Sequence, residues 1–399
     1  MKWTRNRIVI NYKNMKKLSR KTGRKDPRSN PGVSLSGELG KLVGEAEKAY
    51  GAGVINFGKK VIPWKSYLPS GVFVVDYALL GGFPESSVIQ FSGPESSGKS
   101  TMAVLLMRSA QKKYPSSIPV YVDLEGSFDP KWAENLGLNM DQFLYVNPKH
   151  GEEAVDFTLS VLKARESSLV VFDSLPAIVP VAGQERSSLD RAMCEQAILI
   201  GELIKRSINT IINESKRGHK ITLVAINQYR DNVGVFYGSK IKLPGGWWTK
   251  HGPTVTVDFL NKEAVDKSTG EILCNEHKFK ITKCKSGCCV KNGEFKINRQ
   301  PNHPFLGIGH VDELDTVRTF CRSMGIVTGS GSSWTFSLGD VEHKFSKLDE
   351  FNQYIREQPD LLDLLKASIV VRKRMEYQLN PFPQDGYIYG VDSDDLDLA

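Results

Sequence analysis

The sequence predicts an α/β fold with a mostly parallel central sheet, followed by a small α+β module. Three observations point there. From about residue 70 to 300, strand-like apolar runs alternate with helical stretches, the pattern of parallel strands joined by crossover helices. One run leads through a glycine-rich turn, GPESSGKST (93–101), straight into a helix. Four of the runs end on polar residues, at the edge of an open α/β sheet where ligands bind.

Residues 1–35 are basic and then rich in Pro, Ser and Gly, a flexible arm. SGELGKLVGEAEKAYGAG (36–53) has helical character and ends at glycines, and VINFG (54–58) reads as a short strand. The core strands are SVIQFSG (87–93), IPVYVDLE (118–125), SLVVFD (168–173) and KITLVAIN (220–227), with a helix over 100–113. PTVTVDFL (253–260) alternates with period two, suiting an edge or antiparallel strand. HKFKITKCK and GEFKIN also alternate like strands. Past residue 300, helices are expected over 311–324, stopped by Gly325, and over 360–373. The chain divides into a basic arm (1–35), a helix and strand (36–65), a core (66–300), a small C-terminal domain (301–384) and an acidic tail (385–399).

Composition sets the class. Hydrophobic residues make up 40% and charged residues 25%, ordinary for a soluble globular protein. No apolar run approaches the roughly 18 residues of a membrane span, so no membrane partner is expected. No apolar stretch of the secretory kind follows the basic start, and the cytoplasm is the expected compartment. Residues 1–28 carry eleven Lys and Arg against one Asp, a net of +10 when the whole chain is +8. The arm therefore holds all the excess charge, while the tail has five Asp and neither Lys nor Arg. Three readings stand open: solvated ends, a nucleic-acid-contacting arm with a competing tail, or an organelle transit peptide. The six cysteines suit a reducing compartment. Cys274, His277, Cys284 and Cys288 or Cys289 could form a zinc set, but the spacing favours structural thiols.

The chemistry starts at the glycine-rich turn. Gly93-x-x-x-x-Gly98-Lys99-Ser100 is the P-loop spacing: amides curl inward on phosphate, Lys99 reaches the β/γ-phosphates and Ser100 ligates Mg²⁺. The helix that follows adds an anion-attracting N-terminus. Asp173, after four apolar residues, has the position of the carboxylate that holds Mg²⁺ in such sites, or of a helix cap. Glu125 ends the neighbouring strand and could accept a proton from attacking water. Gln228 ends another, either as a sensor of a γ-phosphate or as a satisfied strand-end amide. The long segment 229–248 is glycine-punctuated, basic and aromatic. Its Arg230, Lys240 and Lys242, with Tyr229, Phe236, Tyr237, Trp247 and Trp248, could grip single-stranded nucleic acid, or the rings could be core. A second polar loop (182–193) holds Arg186 and Arg191.

With these residues in view, residues 36–340 resemble the RecA recombinase family. GEAEKAYGAGVINFG resembles its N-terminal helix and docking strand. GPESSGKST is the family's own P-loop, which makes Gly93, Pro94, Glu95, Ser96, Ser97, Gly98, Lys99, Ser100 and Thr101 the nucleotide cradle. DLEGSFDPKWAENLGL resembles the catalytic segment, implying Glu125 as the catalytic carboxylate and Asp129 and Trp132 as adenine contacts. INQYRDNVGVFYG opening into PGGWW resembles the second DNA loop. By that resemblance Gln228 is the γ-phosphate sensor, Val233 the wedge between base triplets, and Gly234, Gly245 and Gly246 lie in the DNA-contacting stretch. ITKCKSG resembles the strand whose two lysines reach a neighbour's ATP, here Lys283 and Lys285. SMGIVTGSGSSWTF resembles part of the small C-terminal domain. Trp247 and Trp248 depart from the small or polar residues usual there, and His251 replaces a common apolar interface residue. The divergence around intact motifs is similar to recombinases of large phages.

The resemblance implies an RecA-like ATPase core, Mg²⁺ and ATP as cofactors, and a helical homo-filament on single-stranded DNA that pairs with homologous double-stranded DNA. The rival readings are a hexameric helicase on the same core, or a single-strand coat whose affinity ATP tunes. Only 35 residues precede the first helix, too few for a helicase's additional N-terminal domain.

Overall fold

The computed structural model describes residues 8–9, 37–50, 66–181, 189–231, 241–338, 341–391 and 396–397. A nine-stranded sheet forms its centre: β1 (Val88–Gly93), β2 (Val120–Asp123), β3 (Leu144–Val146), β4 (Leu169–Asp173), β5 (Thr222–Gln228), β6 (Val255–Val265), β7 (Ile272–Cys284), β8 (Asn292–Asn298) and β9 (Val311–Asp312). Across the sheet they run β9-β8-β7-β6-β1-β5-β4-β2-β3. From β6 to β3 every pairing is parallel; from β6 out to β9 every pairing is antiparallel.

Period-two side chains sort the parallel strands onto two cores. Ile89, Phe91, Tyr121, Leu169, Val171, Val224 and Ile226 pack with helix α3 (Lys99–Lys113) on one face. Val88, Val120, Val122, Val170, Phe172, Leu223 and Ala225 pack with α5 (Gly151–Val161) and the long α6 (Leu189–Lys216) on the other. Both faces being covered explains why these strands read as unbroken apolar runs. The other helices, in chain order, are α1 (Gly37–Tyr50), α2 (Phe73–Ala78), α4 (Pro130–Asn135), α7 (Gly246–His251), α8 (Leu314–Ser323), α9 (Leu348–Arg356) and α10 (Pro359–Glu376).

A third core belongs to the C-terminal part. Helices α8 to α10 and a three-stranded sheet (Val327–Ser330, Ser333–Leu338, Val341–Phe345) close on Phe336, Phe351 and Leu365, and take in Phe73 and Tyr77 of α2.

Several expectations need correction. Residues 253–260 are an antiparallel strand, as expected, but not at an edge: they pair antiparallel with β7, while Val255–Asp258 also pair in parallel with β1, and Val255, Val257 and Phe259 on one side enter the core. The strand expected over 118–125 is only Val120–Asp123: the Leu124 amide still reaches the Asp173 carbonyl at 2.7 Å, but the Glu125 amide turns back to the Asp123 side chain. The helix expected from 311 begins at Leu314, since Val311 and Asp312 pair with β8. The segment assigned to the tail starts as packed chain. Ile388 is buried, the Tyr389 hydroxyl donates to Asp76 at 2.7 Å, and Asp385 pairs with Lys113 (2.8 Å) and Lys220 (3.2 Å). The strand expected at 54–58 lies outside the described residues, as does most of the basic arm. No helix of the described residues is long and apolar enough to cross a membrane.

Candidate functional site

The carboxyl ends of β1, β2, β4 and β5 converge, and each delivers one functional group. Gly93 ends β1 beside Gln228, its partner at the end of β5; Asp123 and Asp173 pair across β2 and β4. The P-loop turns from β1 into α3. Gly98 caps that helix in the left-handed region (φ +94°), so no side chain screens the first-turn amides. Lys99 is buried and donates to the carbonyls of Gly93 (3.3 Å) and Pro94 (2.5 Å) and to the Ser97 hydroxyl (3.3 Å). Burial lowers its pKa, against the pull of Asp173, Glu125 and Glu95.

Asp173 and Ser100 are joined: the Ser100 hydroxyl donates to Asp173 Oδ2 at 2.8 Å, and the Tyr121 hydroxyl donates to the same oxygen at 2.5 Å. Burial pushes the Asp173 carboxyl up to about 6, while these two donors pull it down. A hydroxyl and a carboxylate in contact at the start of the P-loop helix are a hard oxygen pair of the kind Mg²⁺ prefers. The residues present fit that ion.

Glu125 and Gln228 meet directly. Gln228 Nε2 donates to Glu125 Oε1 at 2.7 Å, and the Ser174 hydroxyl donates to the same oxygen. Asp123 builds the turn that presents Glu125. Its Oδ1 accepts the amides of Glu125 (2.9 Å) and Gly126 (2.8 Å), and its Oδ2 accepts from the Phe128 amide (3.0 Å) and the Tyr145 hydroxyl (3.1 Å). Asp129 caps α4 by accepting the Trp132 amide at 3.0 Å. The Trp132 indole donates to Thr101 at 3.1 Å, and the Arg299 guanidinium lies 4.5 Å over its ring.

The segment after Gln228 leads away from this cluster. Arg230 and Asp231 pair with Lys242 and Ile241, and the Arg230 guanidinium donates to the Pro176 carbonyl at 3.4 Å. The end of the segment is helix, not loop: α7 begins at Gly246, capped by Gly245 at φ +92°. Trp247 is 62% exposed and stacks on His251 with centroids 4.4 Å apart, while Trp248 packs into the core under α6. Lys283 and Lys285 close the other end of α7. Lys283 donates to the carbonyls of Lys250 (2.7 Å) and His251 (2.8 Å), and Lys285 to those of His251 (3.0 Å) and Gly252 (3.3 Å). Burial, aided by Lys285, lowers Lys283 to about 8. Arg186, Val233, Gly234 and Lys240 lie outside the described residues; Arg191 and Lys242 are described by their backbone alone.

Cys284 and Cys288 lie side by side, but the four expected ligands do not converge. Cys284 donates to the Gly287 carbonyl at 3.1 Å and Cys289 to that of Tyr77 at 3.0 Å, while His277 lies under the P-loop. Among the described residues no three His, Cys, Asp or Glu side chains could share a metal. Sequence reading missed Tyr121, Asp123 and Ser174. Asp123 had a signal, an acid two residues before Glu125 at a strand end; Tyr121 had none, because a tyrosine in an apolar strand reads as core.

Fold and site together define a P-loop nucleotide-binding protein of the parallel-sheet class. The RecA N-terminal domain family matches residues 38–300. The chain is 29% identical over 359 residues to a Protein RecA of Oceanobacillus iheyensis, covering 89% of this chain and 96% of that one. It is 29% identical to a Protein RecA of Tropheryma whipplei (86% and 74% covered) and 30% identical to one of a Nocardioides species (83% and 90%). The chain belongs to the RecA family. It is an ATP-dependent recombinase and a DNA-dependent ATPase.

Proposed function

We propose that the protein assembles as a helical filament on single-stranded DNA and exchanges strands with homologous double-stranded DNA, using ATP bound at residues 93–101. The observation that carries this reading is the bond from Gln228 to Glu125, which joins the root of segment 229–248 to the catalytic carboxylate.

In this reading the P-loop amides and Lys99 bind the phosphates. Ser100 and Asp173 hold Mg²⁺, which would neutralise charge on the β- and γ-phosphates. Lys99 leaves the carbonyls of Gly93 and Pro94 to do so, a short swing of a flexible stem. Glu125 orients the attacking water and takes its proton. Asp129 and Trp132 border the adenine. Gln228 exchanges Glu125 for the γ-phosphate and so reports nucleotide to segment 229–248. Within or beside that segment Arg230, Val233, Gly234, Lys240, Lys242, Gly245 and Gly246 meet DNA, with Arg186 and Arg191 on the neighbouring loop. Lys283 and Lys285 reach the ATP of the next protomer, which requires them to leave the end of α7. The first helix and the stretch after it (36–65) serve assembly, and the cytoplasm is the working compartment.

Electron microscopy with single-stranded DNA and a non-hydrolysable ATP analogue tests this. Helical filaments are expected; closed rings favour a helicase and sink the proposal. A filament that forms but does not exchange strands leaves only the ATP-tuned coat.

A further inference from the structure

The P-loop rests on a part of the sheet that the chemistry above does not use. Its amides turn inward to phosphate, so its carbonyls turn outward and need donors from elsewhere. Lys99 covers those of Gly93 and Pro94. The next main-chain groups, at Ser96 and Ser97, meet the antiparallel extension. Asn261 on β6 donates its side-chain amide to the Ser96 carbonyl at 3.3 Å.

Directly opposite Asn261 in the β6–β7 ladder stands His277. Opposed residues in a ladder share a face, so both side chains point at the loop. The His277 ring is 1% exposed and stacks on Phe295 with centroids 5.0 Å apart. It lies so close beneath the loop that a Cβ on Gly98 would come within 2.4 Å of its Nδ1. Neither ring nitrogen has a hydrogen-bond partner among the described residues. Burial drives the imidazole pKa down to about 4, and hydrogen bonding toward the Ser97 main chain opposes that shift. A neutral imidazole still carries one N–H, and a buried donor without a partner is costly.

We propose that His277 is a positioning residue for the P-loop: its ring N–H engages the Ser97 carbonyl when the loop takes nucleotide, so that Asn261 and His277 fix the outward carbonyls while the amides bind phosphate. This rests on the reading of residues 93–101 as the ATP site. A ring that merely fills space against Phe295 would matter for stability and not for nucleotide.

The full-length protein is titrated with a fluorescent ADP analogue in the absence of DNA, as wild type, His277→Phe and His277→Gln. Phenylalanine keeps a ring on Phe295 but has no donor; glutamine keeps a donor. His277→Phe is expected to bind the analogue about five- to tenfold more weakly, the worth of one buried hydrogen bond. His277→Gln should recover most of that loss, and without nucleotide the thermal midpoint of His277→Phe should be no lower than that of wild type, since phenylalanine removes the unpaired donor. Equal affinity of wild type and His277→Phe overturns the proposal, and so does equal weakening by both substitutions. Should the ring variants fail to fold, Asn261→Ala on the half-exposed side of the ladder decides. A several-fold weakening supports the platform, and unchanged affinity removes it. Wild-type protein that takes up no analogue would sink the ATP-site reading and this proposal with it, whereas normal wild-type binding beside an indifferent His277→Phe sinks the proposal alone.

Discussion

Replacing Glu125 by glutamine separates catalysis from DNA holding. The substitution keeps the size of the side chain and an oxygen at Oε1, so the 2.7 Å bond from Gln228 and the bond from Ser174 both have an acceptor left. What is lost is the negative charge and with it the proton acceptor. General-base catalysis contributes about 10²- to 10⁴-fold, so the hydrolysis barrier should rise by about 3–5 kcal/mol. The bond from Gln228, now neutral to neutral, should weaken by about 1 kcal/mol. That frees the sensor, so DNA binding with ATP should persist or tighten slightly. The assay pairs single-strand-stimulated phosphate release with fluorescence anisotropy on a labelled oligonucleotide, at one protein and salt concentration. Hydrolysis within about threefold of wild type would refute the assignment of Glu125, since a lost base costs at least about 100-fold. Hydrolysis and DNA binding lost together would refute the separation of the two roles.

Other expectations concern charge and backbone. Asp76 is wholly buried, accepts the Ser70 amide at 2.6 Å and the Tyr389 hydroxyl at 2.7 Å, and is raised by burial to about 7. A carboxyl easier to protonate folded than unfolded stabilises the fold at low pH, and that stability drains away as pH climbs from its unfolded value to about 7. Asp76→Asn should therefore flatten a decline of about 2–3 kcal/mol between pH 5 and 8, read from urea midpoints across that window; an unchanged decline would place its origin elsewhere. Arg230→Ala should weaken single-strand binding and lower the slope of log K against log salt by about 0.7; an identical slope rules out a phosphate contact there. Gly245→Ala should cost more than Gly246→Ala. Both glycines are left-handed, but a Cβ on Gly245 would meet Thr249 at 2.4 Å and Ile200 at 2.6 Å, while Gly246 faces open space. Strain alone is about 1–2 kcal/mol, so equal losses in denaturant midpoints would show that the contact yields freely.

Four strands of the parallel core, β1, β2, β4 and β5, were readable because each is an apolar run that ends on polar residues or glycine, and Asp173 and Gln228 at two of those ends are the residues proposed to act; β3, short and largely exposed, was not. The P-loop was readable because its spacing is dictated by backbone curvature. Other features depend on contacts between distant segments. Asp123 and Glu125 are both acids at one strand end, and only the amides of 125, 126 and 128 tell the organiser from the candidate base. His277 entered the reading only as a member of a disfavoured zinc set, because its cross-strand neighbour Asn261 and the P-loop above it are remote in sequence. Helix α7 escaped notice because six residues opening on a glycine carry too little periodicity. The middle place of β6 escaped because alternation reports one exposed face and not which strands flank it.

The bond between Tyr389 and Asp76 spans 313 positions of sequence. Helix α2 stands at the threshold of the nucleotide-binding core, yet Phe73 and Tyr77 belong to a core whose other members come from the last third of the chain. During synthesis the first strands can be made, and the P-loop formed, long before those partners exist. Phe73 and Tyr77 must wait in the open or be shielded by helpers, and late contacts of this kind slow the final step of folding. A ribosome stalled short of residue 389 would thus carry a nearly finished ATPase with an unsealed apolar seam.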